Sequence, residues 1–385
     1  MGLGFTARLP YTQENKEQLQ NFFLEQPSIV PGWETDSAVF DDGFRLTLVP
    51  FEEDIYGEWE PGYLKLSAKT NSAGPGYHAY LIGLLDDLQD KLGIVPHADM
   101  DDETGYYDHG DYARLQKSMA DWLVSLSDLL IREYSNGEYS ALSVSLATKD
   151  APDATDHFTC CPLGYFEQEF FHRAAGGEDV SSEFFVWWNR ARDAVFYKNV
   201  AQHLICCAMN FLPPQTEEEE ELAGCVKACL ARAHELDPAL ALPSPEDETL
   251  GFRRGNVNSL VYGWRVKRPG QMHHRIDDND AYIWWDDART IRASSLQFNV
   301  KEGAAADNNA ILQHVIGKDD YVPFALRSNE IAAAISHEQI EENGEPLQQM
   351  RLLAVKDCKL LILSIYYTDE ADKDWAEAVC ASVAM

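Results

Sequence analysis

The sequence predicts an α+β protein: a mixed α/β and helical N-terminal part, followed by an antiparallel sheet with a closing helix. Three observations carry this. Ala38 to Phe40 and Phe44 to Val49 flank Asp42-Gly43, and the second run alternates Phe44, Leu46 and Leu48, the pattern of a half-buried hairpin. Leu115, Met119, Trp122, Leu126 and Leu130 recur at helical spacing between Asp111 and Glu133, so one face of that helix must be buried. Beyond residue 250 the chain turns to successive strand-like runs and ends in an amphipathic segment.

In chain order, Thr12 to Glu25 reads as a polar helix stopped by QPSIVPG. After the hairpin, Tyr63 to Ala68 reads as a strand that passes through TNSAGPG into a helix from about Tyr77 to Leu92. Tyr139 to Leu146 is strand-like again. SSEFFVWWNRARDAVFYKNVAQHLICCAMNF reads as one long, largely buried helix ending before Pro213-Pro214. Glu217 to Glu221 then supply an acidic first turn, where carboxylates meet the positive end of a helix dipole.

Pro238, Pro243 and Pro245, followed by Glu-Asp-Glu, form a linker and divide the chain into residues 1–250 and 251–385. The second part carries strands at Leu260 to Val266, Ala281 to Trp285, Thr290 to Phe298, Glu330 to His337, Pro346 to Val355 and Lys359 to Tyr367. A helix from Glu370 to Ala381 follows the capping residues Thr368-Asp369. This order, with LQQMRLLAV and CKLLILSIYYT ahead of a closing helix, resembles the PsbP/DcrB-like α-β sandwich over about the last third of the chain. The resemblance implies a binding or chaperone-like accessory domain and supplies no catalytic residue.

The charge speaks to partners. With 64 Asp and Glu against 31 Lys and Arg, the formal net charge is -33. A field of that sign repels nucleic acid and anionic lipid and steers cationic partners inward. Aromatic residues make up 11% of the chain, enough to build cores, so the charge belongs on folded surfaces. MGLGFTARLP lacks the apolar run of a signal peptide and the longest apolar runs fall short of a membrane span, so a cytoplasmic protein is expected.

The expected partner-binding surface is the loop Asp99 to Asp111. There Asp101, Asp102, Glu103 and Asp108 would steer a basic protein, and Tyr106 and Tyr107 would anchor it. An EF-hand register from Asp99 fails, because Thr104 stands where glycine is needed and Gly110 where a bidentate glutamate is needed. From Gly251 to Ile276 the chain holds Arg253, Arg254, Arg265, Lys267, Arg268 and Arg275 with no Asp or Glu. That strip is expected to dock against the acidic N-terminal part or to bind an anion, with His273 and His274 at its end.

Gly74-Pro75-Gly76-Tyr77-His78-Ala79 fits a loose GxGxxA between strand and helix. The following GIVPHADMDDETG shows no second strand ending in an acid to hold a ribose. A tight capping loop is the expectation, with phosphate binding as the alternative. His109 with Asp111, and Asp156 and His157 beside Cys160 and Cys161, are weak acid-base or Cys-His candidates. The cysteines, Cys160-Cys161, Cys206-Cys207, Cys225, Cys229, Cys358 and Cys380, form no CxxC. Neighbouring cysteines are not expected to turn both sulfurs to one ion, so buried reduced thiols are expected. The alternative is a redox or metal role for Cys206, Cys207, Cys225 and Cys229 should two helices pair. HExxH, GxSxG and Walker motifs are absent.

The sequence therefore predicts no catalytic residue, no cofactor and no metal. It points to an acidic protein-binding protein, foremost an immunity protein neutralising a cationic bacterial toxin. A chaperone or adaptor for a secreted effector, and a small-molecule enzyme using the Gly74 to His78 loop, are the alternatives.

Overall fold

The computed structural model describes residues 2–50, 54–97, 100–136, 141–144, 150–152, 158–209, 211, 213–214, 216–241, 256–298, 307–342 and 345–385. The chain divides into two compact units, Met1–Thr148 with Thr155–Phe252, and Lys149–Ala154 with Arg253–Met385. The expected linker prolines Pro243 and Pro245, together with Arg253 and Arg254, lie outside the described residues.

The first unit runs β1 (Gly4–Pro10), α1 (Lys16–Leu24), β2 (Asp36–Phe40), β3 (Gly43–Thr47), β4 (Ile55–Glu60), β5 (Tyr63–Lys69), α2 (Pro75–Leu92), β6 (Asp101–Asp102), α3 (Tyr106–His109), α4 (Tyr112–Ser135) and β7 (Ala141–Ser143). After β8 (Asp150–Pro152), which belongs to the other unit, come β9 (Phe158–Cys161), β10 (Gly164–Glu167), α5 (Gln168–Ala175), α6 (Ser181–Phe184), α7 (Ala194–His203) and α8 (Glu217–Leu236). The main sheet is antiparallel, in the order β2-β3-β4-β5-β1-β6; β10, β9 and β7 form a small second sheet.

Alternation decides what the main sheet buries. Phe5, Ala7 and Leu9 of β1 and Leu64, Leu66 and Ala68 of β5 point inward and share one core with Tyr77, Leu81, Leu85 and Leu88 of α2. On α4 the buried stripe is Leu115, Met119, Leu123, Leu130 and Tyr134, whereas Trp122 and Leu126 sit half-buried beside it. The Asp111 carboxylate caps α4 by accepting from the N–H groups of Ala113 and Arg114.

The expected single helix from Ser181 to Phe211 is instead broken. Asp193 accepts from the Phe196 N–H at 2.9 Å and starts α7 afresh, and α7 passes at its end into a π-helical turn, Leu204–Ala208. Between α6 and α7 the backbone is claimed elsewhere: Trp187 donates its N–H to Ala73 and its carbonyl accepts from Gly76. A tertiary pairing has displaced the local helix.

The second unit contains β11 (Asn256–Val261), β12 (Trp264–Pro269), β13 (His273–Ile276), β14 (Tyr282–Trp285), β15 (Arg289–Gln297), α9 (Asn308–Ile316), β16 (Val322–Pro323), β17 (Ala332–Glu342), β18 (Glu345–Lys356), β19 (Lys359–Tyr367) and α10 (Lys373–Ala381). Seven strands form an antiparallel sheet in the order β13-β14-β15-β19-β18-β17-β16, and β12, β11 and β8 form another. The expected strand Leu260 to Val266 is a hairpin, because Tyr262 and Gly263 both take left-handed backbone angles, φ 51° and 92°, and fold Val261 back on Trp264. One face of the large sheet packs Ile291, Leu352, Leu363 and Ile365 with Trp264, Trp284 and Val379; the other packs Leu353, Val355 and Leu360 against Leu312 and Ile316 of α9. Burial on both faces explains why these strands read as unbroken apolar runs. Among the described residues no helix is long and apolar enough to cross a membrane.

A fragment of residues 251–385 is expected to melt cooperatively on its own core, although it lacks β8. Within it Trp264→Ala is expected to cost about 3–5 kcal/mol, since Trp264 is fully buried. Denaturant unfolding followed by tryptophan fluorescence and far-UV circular dichroism checks both statements.

Candidate functional site

The face of the main sheet opposite its core carries the candidate site. Pairing registers Tyr56 with Ser67, Ser67 with Thr6 and Thr6 with Asp101, so these four residues form a row across β4, β5, β1 and β6. Small side chains in the middle of the row, Thr6 and Ser67, leave a groove of about 620 Å³. Its walls include Asp54 and Tyr56 at one side and Asp101 and Glu103 at the other, with Lys69 among the lining residues. Asp54 accepts from the Thr47 and Tyr56 hydroxyls at 2.5 and 3.1 Å, and Glu103 accepts from the Gly4 N–H at 2.8 Å. Asp101 is exposed.

Beneath the rim lies a buried polar network. His78, on the first turn of α2, is fully buried, with Nδ1 2.9 Å from the Thr70 hydroxyl and Nε2 3.2 Å from both the Thr104 hydroxyl and the Asp102 carboxylate. Asp102 also accepts from the Thr104 hydroxyl and N–H at 2.8 and 2.9 Å and from the Tyr107 N–H at 2.8 Å. One proton assignment satisfies every member: Thr70 donates to Nδ1, Nε2–H donates to Asp102 and Thr104, and Thr104 donates to Asp102. Burial pushes the Asp102 carboxyl up, but the bonds from His78, Tyr107 and Thr104 outweigh it and hold the group well below the usual carboxylate range.

The loop expected to bind a partner is thereby split. Asp101, Glu103 and Asp108 are exposed, but Asp102 is committed inward. Tyr106 is only 6% exposed and belongs to the core, so it is not the surface anchor expected of it. Tyr107 is half-buried, and burial, then Asp86 and Asp108, pushes its hydroxyl up. His109 and Asp111 meet through the Asp111 N–H, which donates to His109 Nδ1, while the carboxylate caps α4; no acid-base pair results. Asp156 and His157 lie outside the described residues.

The glycine loop is closed to phosphate. Pro75, Gly76, Tyr77 and His78 are all buried, and the Gly76 N–H already donates to the Trp187 carbonyl at 2.9 Å. Gly74 and Gly76 are there for close approach: a Cβ on Gly76 would lie 2.0 Å from the Trp187 ring.

Strand alternation also breaks up the basic strip. Arg268 points inward, fully buried, donating from Nε to Ser259 at 2.8 Å and from Nη1 to the Pro269 carbonyl at 2.9 Å, 5.2 Å from the Trp284 ring centre. Arg265 and Lys267 face the other way on β12, and Arg275 lies 5.8 Å from the Trp285 ring centre. His273 stacks on Trp285 at 5.5 Å, and His274 pairs with Trp284 in the β13–β14 register.

The cysteines depart from expectation as well. Cys206 and Cys207 turn their sulfurs to within 3.8 Å of each other, and Cys207 Sγ lies 3.1 Å from His203 Nδ1. Their third companion is therefore His203, one turn back on the same face, and neither Cys225 nor Cys229 joins this cluster. The spacing HxxCC, with i, i+3 and i+4 on one helical face, was the missed signal. Cys161, at the end of β9, is fully buried, and burial followed by Cys160 and Cys207 pushes its thiol up.

No family model matches the chain, and no curated protein matches it. A crystal structure from Bacteroides thetaiotaomicron VPI-5482 is similar over 31% of this chain, at 15% identity and a TM-score of 0.27. The match spans 44% of that chain.

Two outcomes follow from the geometry. Asp102→Asn is expected to cost about 2–3 kcal/mol at neutral pH, the scale of hydrogen bonds to a buried charge. Because the folded-state pKa of Asp102 is depressed, its contribution is present above the ordinary carboxylate pKa and is lost as pH falls toward the lowered one. The stability gap between wild type and variant should therefore narrow on acidification; urea melts from pH 7 down to pH 3 measure it. Gly76→Ala should lower the melting temperature through its clash with Trp187, by about 1–3 kcal/mol of stability.

Proposed function

We propose that this chain is a non-catalytic binding protein that captures a basic protein partner in the acidic groove of its N-terminal sheet. The observation that carries the reading is the groove: Asp54, Asp101 and Glu103 face an open concavity in which, among the described residues, the lining includes a single cationic side chain, Lys69. Carboxylates around a concavity focus their field into it and concentrate cationic groups there. The hydroxyls of Thr6 and Ser67 on the floor accept from an ammonium or guanidinium group. Tyr56, 48% exposed, adds an aromatic face against which such a group packs.

In its most specific form the reading is an immunity protein, which meets a cationic bacterial toxin in the cytoplasm and blocks its basic working surface by charge-steered capture. A chaperone or adaptor for a secreted effector would use the same surface for a different client. The enzyme alternative loses its anchor, since the glycine loop is packed beneath Trp187 and its N–H is engaged.

The test is co-expression in a bacterial host with a growth-arresting basic protein encoded beside this chain. Restored growth and a purified complex are the expected results; unrelieved arrest with no complex would sink the reading. In binding kinetics, Asp54→Asn with Asp101→Asn and Glu103→Gln should slow association about tenfold at low salt and flatten its salt dependence. Tyr56→Ala should mainly speed dissociation. Unchanged kinetics for both variants would move the contact away from the groove.

A further inference from the structure

We propose that His203, Cys206 and Cys207 bind one thiophilic d¹⁰ metal ion, Zn²⁺ or Cu⁺, against the carbonyl of Pro162. The ligand atoms of the three side chains all lie within 4.8 Å of one another. The groups come from two elements held together by design of the chain. α7 ends at His203, and the π-helical turn that follows places Cys206 and Cys207 on the side of His203. The wider turn relaxes the divergence that ordinary helical geometry imposes on adjacent side chains, and π turns of this kind recur at functional sites. Across from it, β9 and β10 are joined by Pro162 and Leu163, and Gln202 Nε2 donates to the Leu163 carbonyl at 3.3 Å, fixing the hairpin turn against the end of α7.

The sulfur–sulfur and sulfur–oxygen distances come close to the edges of a metal-binding tetrahedron. Zn–S bonds near 2.3 Å and Zn–N or Zn–O bonds near 2.0 Å give edges of about 3.8 Å between two sulfurs and about 3.5 Å between sulfur and nitrogen or oxygen. Here the two sulfurs are 3.8 Å apart, and the Pro162 oxygen lies 3.2 Å from Cys206 Sγ and 3.6 Å from Cys207 Sγ. His203 Nδ1 is 3.1 Å from Cys207 Sγ and 2.7 Å from the Pro162 oxygen. These last edges are short because hydrogen bonds now close them, and an ion would open them by about 0.4 Å and about 0.6 Å.

Three potential donors thus converge on one carbonyl oxygen, and an ion seated among them would take the place of their protons. Both thiol protons leave to solvent and the imidazole stays neutral, its proton shifting from Nδ1 to Nε2. Two thiolates and an imidazole are a donor set for thiophilic ions and not for Mg²⁺ or Ca²⁺. Cys206 and His203 are buried and Cys207 is half-buried, so the ion is shielded while one ligand remains reachable from solvent.

The test uses the full chain, reduced and freed of metal. Titration with Zn²⁺ against a chromophoric chelator should give one ion per chain. Co²⁺ in its place should produce thiolate-to-cobalt charge transfer and the intense visible bands of a tetrahedral site. A parallel Cu⁺ titration under anaerobic conditions decides which ion is held more tightly. Cys206→Ser and Cys207→Ser should each weaken Zn²⁺ by at least about 100-fold, more than the loss of an outer-shell partner. Cys225→Ser should leave binding unchanged. Absence of charge transfer in the Co²⁺ protein, or equal loss in Cys225→Ser, overturns the proposal; the wild-type spectrum decides it even where a serine variant fails to fold.

Discussion

The burial of one histidine organises the N-terminal unit. His78 sits at zero exposure on the first turn of α2, where an unsatisfied ring nitrogen would cost as much as several good contacts supply. Its partners come from three places: Thr70 beyond β5, Asp102 in β6 and Thr104 after it. Satisfying the ring therefore clamps the short strand β6 onto β1. Once Asp102 turns inward, its neighbours Asp101 and Glu103 turn outward by strand alternation. The two acids on the β6 side of the groove, Asp101 and Glu103, are in this sense placed by the acid that is not in it.

A comparable logic governs the start of the same helix. The stretch from Phe185 to Trp188 pairs with the start of α2 through two backbone hydrogen bonds, which only glycines at positions 74 and 76 leave room for. That pairing interrupts what local composition would make a continuous helix and leaves α7 to start at Asp193. The shortened helix ends against the Pro162 turn, and there the π-helical residues gather His203, Cys206 and Cys207. Two irregularities, each stabilised by tertiary hydrogen bonds, thus set the position of the sulfur cluster.

Much of the element order was legible because the physical signals are local. The β2–β3 hairpin, the stripe on α4, the acidic first turn of α8 and the last two strands all depend on residues within a few positions of one another, although the hairpin turns at Asp41-Asp42, one residue before the expected Asp42-Gly43, and Gly43 already opens β3. Fully buried strands betrayed themselves as apolar runs. The misreadings share a different cause. Tyr262-Gly263 makes a tight turn through left-handed angles that a tyrosine seldom adopts, and β8 joins β11 from more than a hundred residues away in the sequence. The acidic neighbours of Tyr106 point to a surface anchor, yet its ring is held among His78, His109 and Tyr112.

By itself the sequence determined the α+β class, the acidic character and the alternation of the sheets, because each follows from composition or from periods of two and 3.6 residues. Which acids face a common groove, which arginine is swallowed by the core, and which histidine completes a pair of cysteines were decided only by the tertiary structure. Those outcomes depend on registers between strands and on backbone contacts between distant segments, and a single residue of register would turn the strand-borne acids and Arg268 to the opposite face.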